Sequence, residues 1–223
     1  MRVLCIKWGD KYSAQWVTRL QSMVAKHLSV EHEFICITEN PVEGVKCIPL
    51  VCDLPHWWQK VGLVQPDFFD GWNLYLDLDI VITASIDPII QAAKMDETKL
   101  WMRDDFSYSL RNPKQGMNEH QIEMLGGHGT CNSSVMVWRG DAARQAWDEF
   151  TPDVMKRQHG DQNWFTKVLY PKKIGFIPDE TVGSYKYGKL RNEPIAPVMV
   201  FHGDPKMDAL PKDDGLRKLW EAA

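Results

Sequence analysis

A chain of 223 residues with 44% hydrophobic and 11% aromatic content can bury a substantial core, and its length suits one large domain better than two small ones. A formal charge of -4 with no block of lysine or arginine argues against a general nucleic-acid or membrane-surface binder, although a local basic pocket stays open. Five cysteines (Cys5, Cys36, Cys47, Cys52 and Cys131) form no C-x-x-C pair, which argues against a zinc cluster and for reduced thiols in a reducing compartment. The apolar run at the N-terminus stops at Lys7, too early for a signal peptide, and no later run approaches a membrane span, so a cytoplasmic protein without a transmembrane segment is expected.

Val3 to Ile6 reads as a strand, and Gly9-Asp10 as the turn after it. Val17, Leu20, Val24 and Leu28 then recur at helical spacing behind Ser13, a candidate N-cap. Glu33 to Thr38 is a second strand, closed by Asn40-Pro41 and Gly44, and Val45 to Val51 a third. A helix carrying Trp57, Trp58 and Lys60 is expected to lead to Pro66, with the two tryptophans as core or pocket wall. Leu74 to Val81 reads as one buried strand, and Ser85 to Pro88 as the turn into a helix, since proline suits a first helical turn. Further strands are expected at Leu100 to Met102, Ser134 to Trp138 and Pro197 to Phe201, and helices at Asp141 to Phe150 and Asp161 to Leu169. Asn112 to Thr130, rich in Gly, Asn and His and containing His128, reads as a long loop of the kind that carries substrate contacts. The tail is polar and lysine-rich. Alternating strands and helices of this kind argue for a three-layer α/β domain.

Two carboxylates interrupt the apolar run Leu74-Tyr75-Leu76-Asp77-Leu78-Asp79-Ile80-Val81. In an extended segment Asp77 and Asp79 share one face, and adjacent anions resist burial unless a cation, a lysine or arginine, or a proton offsets them. Simple solvation at an exposed strand end is the plainer alternative, but the apolar residues continue through Ile82. A divalent-cation site is therefore expected, and oxygen ligands suit magnesium or manganese.

Two families use such a pair. Asp77-Leu78-Asp79-Ile80-Val81 resembles the D-x-D-x-T/V motif of haloacid-dehalogenase-like phosphatases, and Gly203-Asp204 with Asp208 resembles their later acidic motif. That resemblance implies a magnesium-dependent phosphatase with Asp77 as nucleophile and Asp79 as general acid. The family's aspartate strand usually opens its domain, however, and here a strand, a helix and a second strand come first.

The second resemblance runs along nearly the whole chain. LYLDLDIV is similar to the D-x-D strand of metal-dependent GT-A glycosyltransferases, above all the retaining enzymes of glycosyltransferase family 8. Asp10 and Tyr12 after the first strand, Lys60 ahead of the aspartates, Asn132 before a strand, Asp161-Gln162, and His202-Gly203-Asp204-Pro205-Lys206 follow that family's order. The resemblance implies an α/β GT-A-type nucleotide-diphospho-sugar transferase fold, α/β/α in three layers with a mixed, mostly parallel sheet. It also implies a single domain over 1–223, with a nucleotide-binding half (1–82) ending in the D-x-D strand and a donor-sugar and acceptor half (83–223).

For the site, the resemblance implies that Asp77, Asp79 and His202 hold Mn2+ or Mg2+. Asp10 and Tyr12 would meet uracil, Lys60, Asp77, Gly203 and Lys206 the rest of the nucleotide diphosphate, and Asn132, Asp161 and Gln162 the donor sugar near the reacting carbon. The implied activity is transfer from a UDP-sugar to an unidentified acceptor, a saccharide, lipid or protein, with retention. A sugar-nucleotide-binding protein without turnover would share the same residues. His202 and Lys206 stand closer together than is usual in that family, and Met207-Asp208 replaces its Pro-Trp.

Overall fold

The computed structural model describes residues 1–66, 68–107, 109–111 and 130–223. The predicted loop at 112–130, with His128, thus lies outside the described residues except for Thr130. The N-terminal half alternates as the sequence predicts: β1 (Arg2–Lys7), α1 (Ala14–His27), β2 (Glu33–Thr38) and β3 (Lys46–Ile48), the last shorter than expected. A nine-residue 3₁₀-helix, His56–Val64, takes the place of the α-helix expected before Pro66. There follow β4 (Trp72–Leu76), β5 (Ile80–Ile82), α2 (Asp87–Ala93), β6 (Leu100–Asp104) and β7 (Cys131–Arg139). The helix expected from Asp141 to Phe150 is divided into a 3₁₀ turn, Gly140–Ala143, and α3 (Gln145–Asp148). The rest comprises α4 (Val154–Arg157), α5 (Asp161–Leu169), β8 (Ile174–Phe176), β9 (Val182–Ser184), α6 (Tyr185–Arg191), β10 (Val198–Val200) and α7 (Gly215–Glu221).

Two sheets organise these strands. The larger has seven, in the order β3-β2-β1-β4-β7-β6-β8, with β7 antiparallel to both its neighbours and every other pair parallel. The smaller has three, β5-β10-β9, with β10 antiparallel to β5 and parallel to β9. Alternate residues of the large sheet feed opposite layers, as the period of two in a strand dictates. Val3, Cys5, Leu74, Leu76, Val135 and Val137 pack with α1, α2, α7 and the small sheet. Leu4, Ile35, Tyr75, Met136 and Trp138 pack with the 3₁₀-helix at His56–Val64 and with α3 and α5. The result is three layers with a mixed, mostly parallel sheet, and strands from both halves of the chain enter both sheets.

The stretch around the two aspartates departs from the single strand predicted for it. β4 ends at Leu76, the chain bends at Leu78-Asp79, and Ile80 begins a strand of the other sheet. Apolar residues continue past the aspartates because each sheet needs its own buried segment. Leu78, 3% exposed, anchors the bend in the core. The expected sharing of one extended face by Asp77 and Asp79 therefore does not hold.

The polar tail also contains structure. Leu216 and Trp220 form the buried side of α7, and the Asp214 carboxylate caps it by accepting from the amides of Leu216 (2.8 Å) and Arg217 (3.2 Å). Trp220 packs on Trp16 with ring centroids 4.7 Å apart, and Trp16 packs on Tyr12 at 4.6 Å, so the last helix braces the first helix beside Tyr12. Loss of this cap in Asp214→Ala is expected to lower stability by about 1 kcal/mol. Urea unfolding followed by circular dichroism measures it, and an unchanged midpoint would mean that the cap contributes nothing.

Candidate functional site

Backbone pairing brings together residues far apart in the sequence. The Asp77 amide donates to the Ser134 carbonyl of β7 (2.9 Å), and the Phe201 amide donates to the Asp79 carbonyl (2.9 Å). The first contact sets Asp77 beside the Asn132-Ser133-Ser134 segment. The second sets Asp79 beside the chain leading to His202. The gap between the sheets thus opens at the C-terminal end of β4, and the carboxyl ends of parallel strands are where open α/β sheets bind ligands.

Each carboxylate has a lysine of its own. Lys60, 7% exposed, places its Nζ 2.8 Å from Asp77 Oδ1 and 3.7 Å from Asp161 Oδ2, and donates to the carbonyl and hydroxyl oxygens of Ser133 at 3.3 and 3.2 Å. Tyr75, in β4 two residues before Asp77, donates its hydroxyl to Asp77 Oδ1 at 2.7 Å. On the other side, Lys206 donates to Asp79 Oδ2 and to the Phe201 carbonyl, and the Tyr12 hydroxyl donates to the same Asp79 oxygen at 3.0 Å. Two ammonium groups and two phenols therefore offset the paired anions in this structure.

Burial opposes the Lys60 charge, but Asp161 and Asp77 more than offset that effect and raise its pKa above the ordinary lysine value. Burial pushes the Asp161 carboxyl above its ordinary range, with Lys60 opposing the shift. Burial, followed by the charge of Asp79, raises the Tyr12 phenol, which stays protonated and able to donate. His202 is held below the ordinary imidazole value by burial, against the charges of Asp105 and Asp79, and is thus neutral at pH 7.

The remaining predicted site residues lie at different depths. Asn132 is buried in β7, and its Oδ1 accepts from the Ser134 amide at 3.0 Å. Asp161 opens α5, buried, and its Oδ2 has no hydrogen-bond partner. Gln162 donates to Asp105 Oδ2 at 3.4 Å. His202 Nε2 lies 2.6 Å from the Ser184 hydroxyl, and its ring stacks on Phe106 at 5.6 Å between centroids. Gly203 is exposed with a φ of 73°, a left-handed turn that glycine adopts without strain. Asp10 is exposed in the turn after β1. A cavity of about 460 Å³ beside the aspartates is walled by Trp8, Tyr12, His56, Trp57, Lys60 and Tyr75, a size and aromatic lining suited to a small-molecule ligand.

Tyr75, Ser133 and Asp105 are the site residues that sequence reasoning overlooks. Tyr75 was detectable from strand periodicity alone, being two positions before Asp77. Asp105 follows the last residue of β6, which runs parallel to β4, so it emerges at the same edge of the sheet. Nothing local in the sequence marks Ser133, whose part depends on Lys60 reaching across from the 3₁₀-helix.

The donor set Asp77, Asp79 and His202 has the chemistry that Mn2+ or Mg2+ accepts, namely carboxylate oxygens and a neutral imidazole. Among the described residues, however, no three carboxylate, imidazole or thiol groups are gathered closely enough to hold an ion. Lys206 contacts Asp79, and Ser184 contacts the His202 nitrogen, so the three predicted ligands are near one another without forming a cluster.

Together the switch between sheets, the site at its opening and the layer order define the GT-A glycosyltransferase fold. Solved structures of that class are similar over most of the chain. The galactosyltransferase LgtC, solved with donor and acceptor sugar analogues, matches with a TM-score of 0.69 and 14% identity, covering 99% of this chain and 94% of its own. The glycosyltransferase GlyE of Streptococcus pneumoniae matches at 0.64 and 15%, covering 100% of this chain and 60% of its own. Mouse xyloside xylosyltransferase 1 matches at 0.58 and 13%, covering 90% and 97%. No protein-family model matches the chain, and no curated protein does. The phosphatase alternative is overturned by this fold: Asp77 follows the fourth strand rather than the first, and Asp204 and Asp208 of the supposed acidic motif are exposed.

Proposed function

We propose that the chain is a glycosyltransferase that moves a sugar from a UDP-sugar to a saccharide, lipid or protein acceptor, with the aid of Mn2+ or Mg2+ and with retention of anomeric configuration. The observation that carries this reading is the convergence of Asp77 and Asp79 with Lys60 and Lys206 at the gap between the sheets, beside an aromatic-walled cavity in a GT-A fold. LgtC was solved with donor and acceptor sugar analogues, and the same two kinds of substrate are proposed here.

In this reading Tyr12 offers its ring to uracil with Asp10 near the base, while Lys60, Lys206 and the backbone at Gly203 meet the diphosphate. Lys206 then exchanges the Asp79 carboxylate for a phosphate oxygen, and fixed cations stabilise the charge that develops on the leaving diphosphate. Asp77, Asp79 and His202 would hold the divalent cation, which when bound supplies Lewis-acid stabilisation of the same charge. The buried Asp161 Oδ2, which lacks a hydrogen-bond donor, suits a donor-sugar hydroxyl, and Asn132 and Gln162 flank the reacting carbon.

A thermal-shift series with UDP, with and without Mn2+, tests the donor and the cation together, since a ligand of the native state raises its melting temperature by mass action. UDP is expected to stabilise the protein only when the metal is present. Equal stabilisation without metal would remove the cation, and no stabilisation in either case would remove the nucleotide. Consumption of a UDP-sugar separates a transferase from a binding protein without turnover. Retention predicts that NMR of the first-formed product shows the donor's own anomer, and the opposite anomer would contradict it.

A further inference from the structure

A row of thiols crosses the large sheet on the side away from Lys60. Parallel pairing sets Cys5 of β1 opposite Cys36 of β2, and Cys36 opposite Cys47 of β3. Residues in register project to the same face. Here that face is covered by α1, since Cys5 and Cys36 belong to the core that includes Val17 and Leu20, and Cys47 packs against it. All the cysteines are free thiols.

Spacing decides what such a row can do. Neighbouring strands lie about 4.8 Å apart, so the outer sulfurs are separated by roughly twice that. One ion about 2.3 Å from each sulfur cannot be shared across such a span, and among the described residues no group of this kind is placed to hold a metal. Adjacent pairs, by contrast, fall within the Cα separation of about 4.4–6.8 Å that a disulfide accepts.

Access and reactivity choose between the two adjacent pairs. Cys5 and Cys36 are 0% exposed, whereas Cys47 is half-buried on an edge strand of three residues that can close the remaining distance. Burial first, and then Cys36, raises the Cys5 thiol well above its ordinary value and leaves it inert. The hydrogen bond from Cys5 and the proximity of Lys7 lower the Cys36 thiol against the effect of burial.

We propose that Cys36 and Cys47 form a reversible dithiol–disulfide site oxidised by peroxide. The Cys47 thiolate attacks hydrogen peroxide, an S–O bond forms as the O–O bond breaks, and hydroxide leaves. The Cys36 thiolate then attacks the Cys47 sulfenic sulfur, the S–S bond forms, and a second hydroxide leaves. The two thiol protons convert both hydroxides to water, so two sulfurs lose two electrons in all and one peroxide becomes two waters. A dithiol reverses the change by exchange. The bond ties edge strand β3 to β2 just ahead of the segment that carries Trp57 and Lys60.

The test treats the folded full chain with hydrogen peroxide, blocks the remaining thiols after unfolding, and maps the digest by mass spectrometry. The expected result is a Cys36–Cys47 linked peptide that dithiothreitol abolishes, with Cys5, Cys52 and Cys131 still carrying the blocking group. Cys47→Ser should lose the link. Cys36→Ser should leave Cys47 as a sulfenic acid that dimedone captures. Cooperative unfolding of each variant is checked first, and the wild-type map decides the matter if Cys36→Ser fails to fold. The proposal is overturned if Cys36 and Cys47 both remain blocked at peroxide levels that oxidise the unfolded chain, or if the link joins Cys5 to Cys36 instead.

Discussion

Lys60→Met is expected to cost about 3–5 kcal/mol of folding stability and to abolish the proposed sugar transfer, because it leaves two carboxylates at a largely buried position without their counter-ion. The lysine side chain is 9% exposed, and those of Asp77 and Asp161 are 21% and 6% exposed. Asp161, the deeper of the two carboxylates, has little access to water that could replace the ammonium, and the two Ser133 oxygens lose their donor as well. The deficit should depend on pH with a definite sign. Burial already raises the Asp161 carboxyl against the opposing charge of Lys60, and removing that charge raises it further. Between the ordinary carboxylate pKa and the raised folded value, the folded variant holds a proton that the unfolded chain releases. Stability contributed by that proton is fully present below the ordinary pKa and is lost as pH rises through the folded one. The gap between wild type and variant should therefore be narrowest in acid and widen toward neutrality. Asp161→Asn placed in the Lys60→Met background should recover part of the loss, since it removes one of the stranded charges. Urea titrations across pH measure all of this, and a deficit of less than about 1 kcal/mol would place Lys60 with ordinary surface pairs.

The parallel half of the fold was legible because its elements are long enough to show a period. Val17, Leu20 and Val24 mark α1, and Glu33 to Thr38 matches β2 residue for residue. The run Leu74 to Val81 misleads for a physical reason. Local alternation cannot reveal that Ile80 to Ile82 pair with Val198 to Val200, more than half the chain away, rather than extending β4. β8 and β9 are three residues each, too short to carry any periodic signal. The tail helix was readable, since Leu216 and Trp220 sit one helical turn apart behind an aspartate cap, but its many charged residues masked that spacing.

The site was legible in its ingredients and not in their pairing. Asp77, Asp79, Lys60 and Lys206 stand out as charges in apolar or glycine-containing surroundings. A bound cation was the expected answer to the two adjacent anions. In the structure a lysine also lies against each carboxylate, one from each side of the bend, and a sequence pattern cannot say which of several distant lysines arrives.

Asp79→Asn is expected to reduce turnover by about 10²–10³-fold, the range found when a group stabilising developing charge is removed, and also to cost stability, because the largely buried Lys206 ammonium loses its carboxylate. The amide has the shape of the carboxylate and keeps an oxygen for the Tyr12 hydroxyl, and the side chain is only 14% exposed, so its packing is retained. What it loses is negative charge, the property that the proposed divalent cation requires and that holds Lys206 in place. Two further readings follow from the same variant: UDP should no longer raise the melting temperature more with Mn2+ than without it, and the Mn2+ concentration for half-maximal activity should rise. Tyr12→Phe separates charge from hydrogen bonding at the same carboxylate. It removes one phenol hydrogen bond, a contribution of about 0.5–1.5 kcal/mol, so its activity should fall by about tenfold at most. Equal losses in the two variants would make the Tyr12 contact, and not the Asp79 charge, the feature that matters. Turnover in Asp79→Asn within a few fold of wild type would remove Asp79 from the chemistry, and would leave its pair with Lys206 as a structural contact that fastens the C-terminal segment to the bend between the sheets.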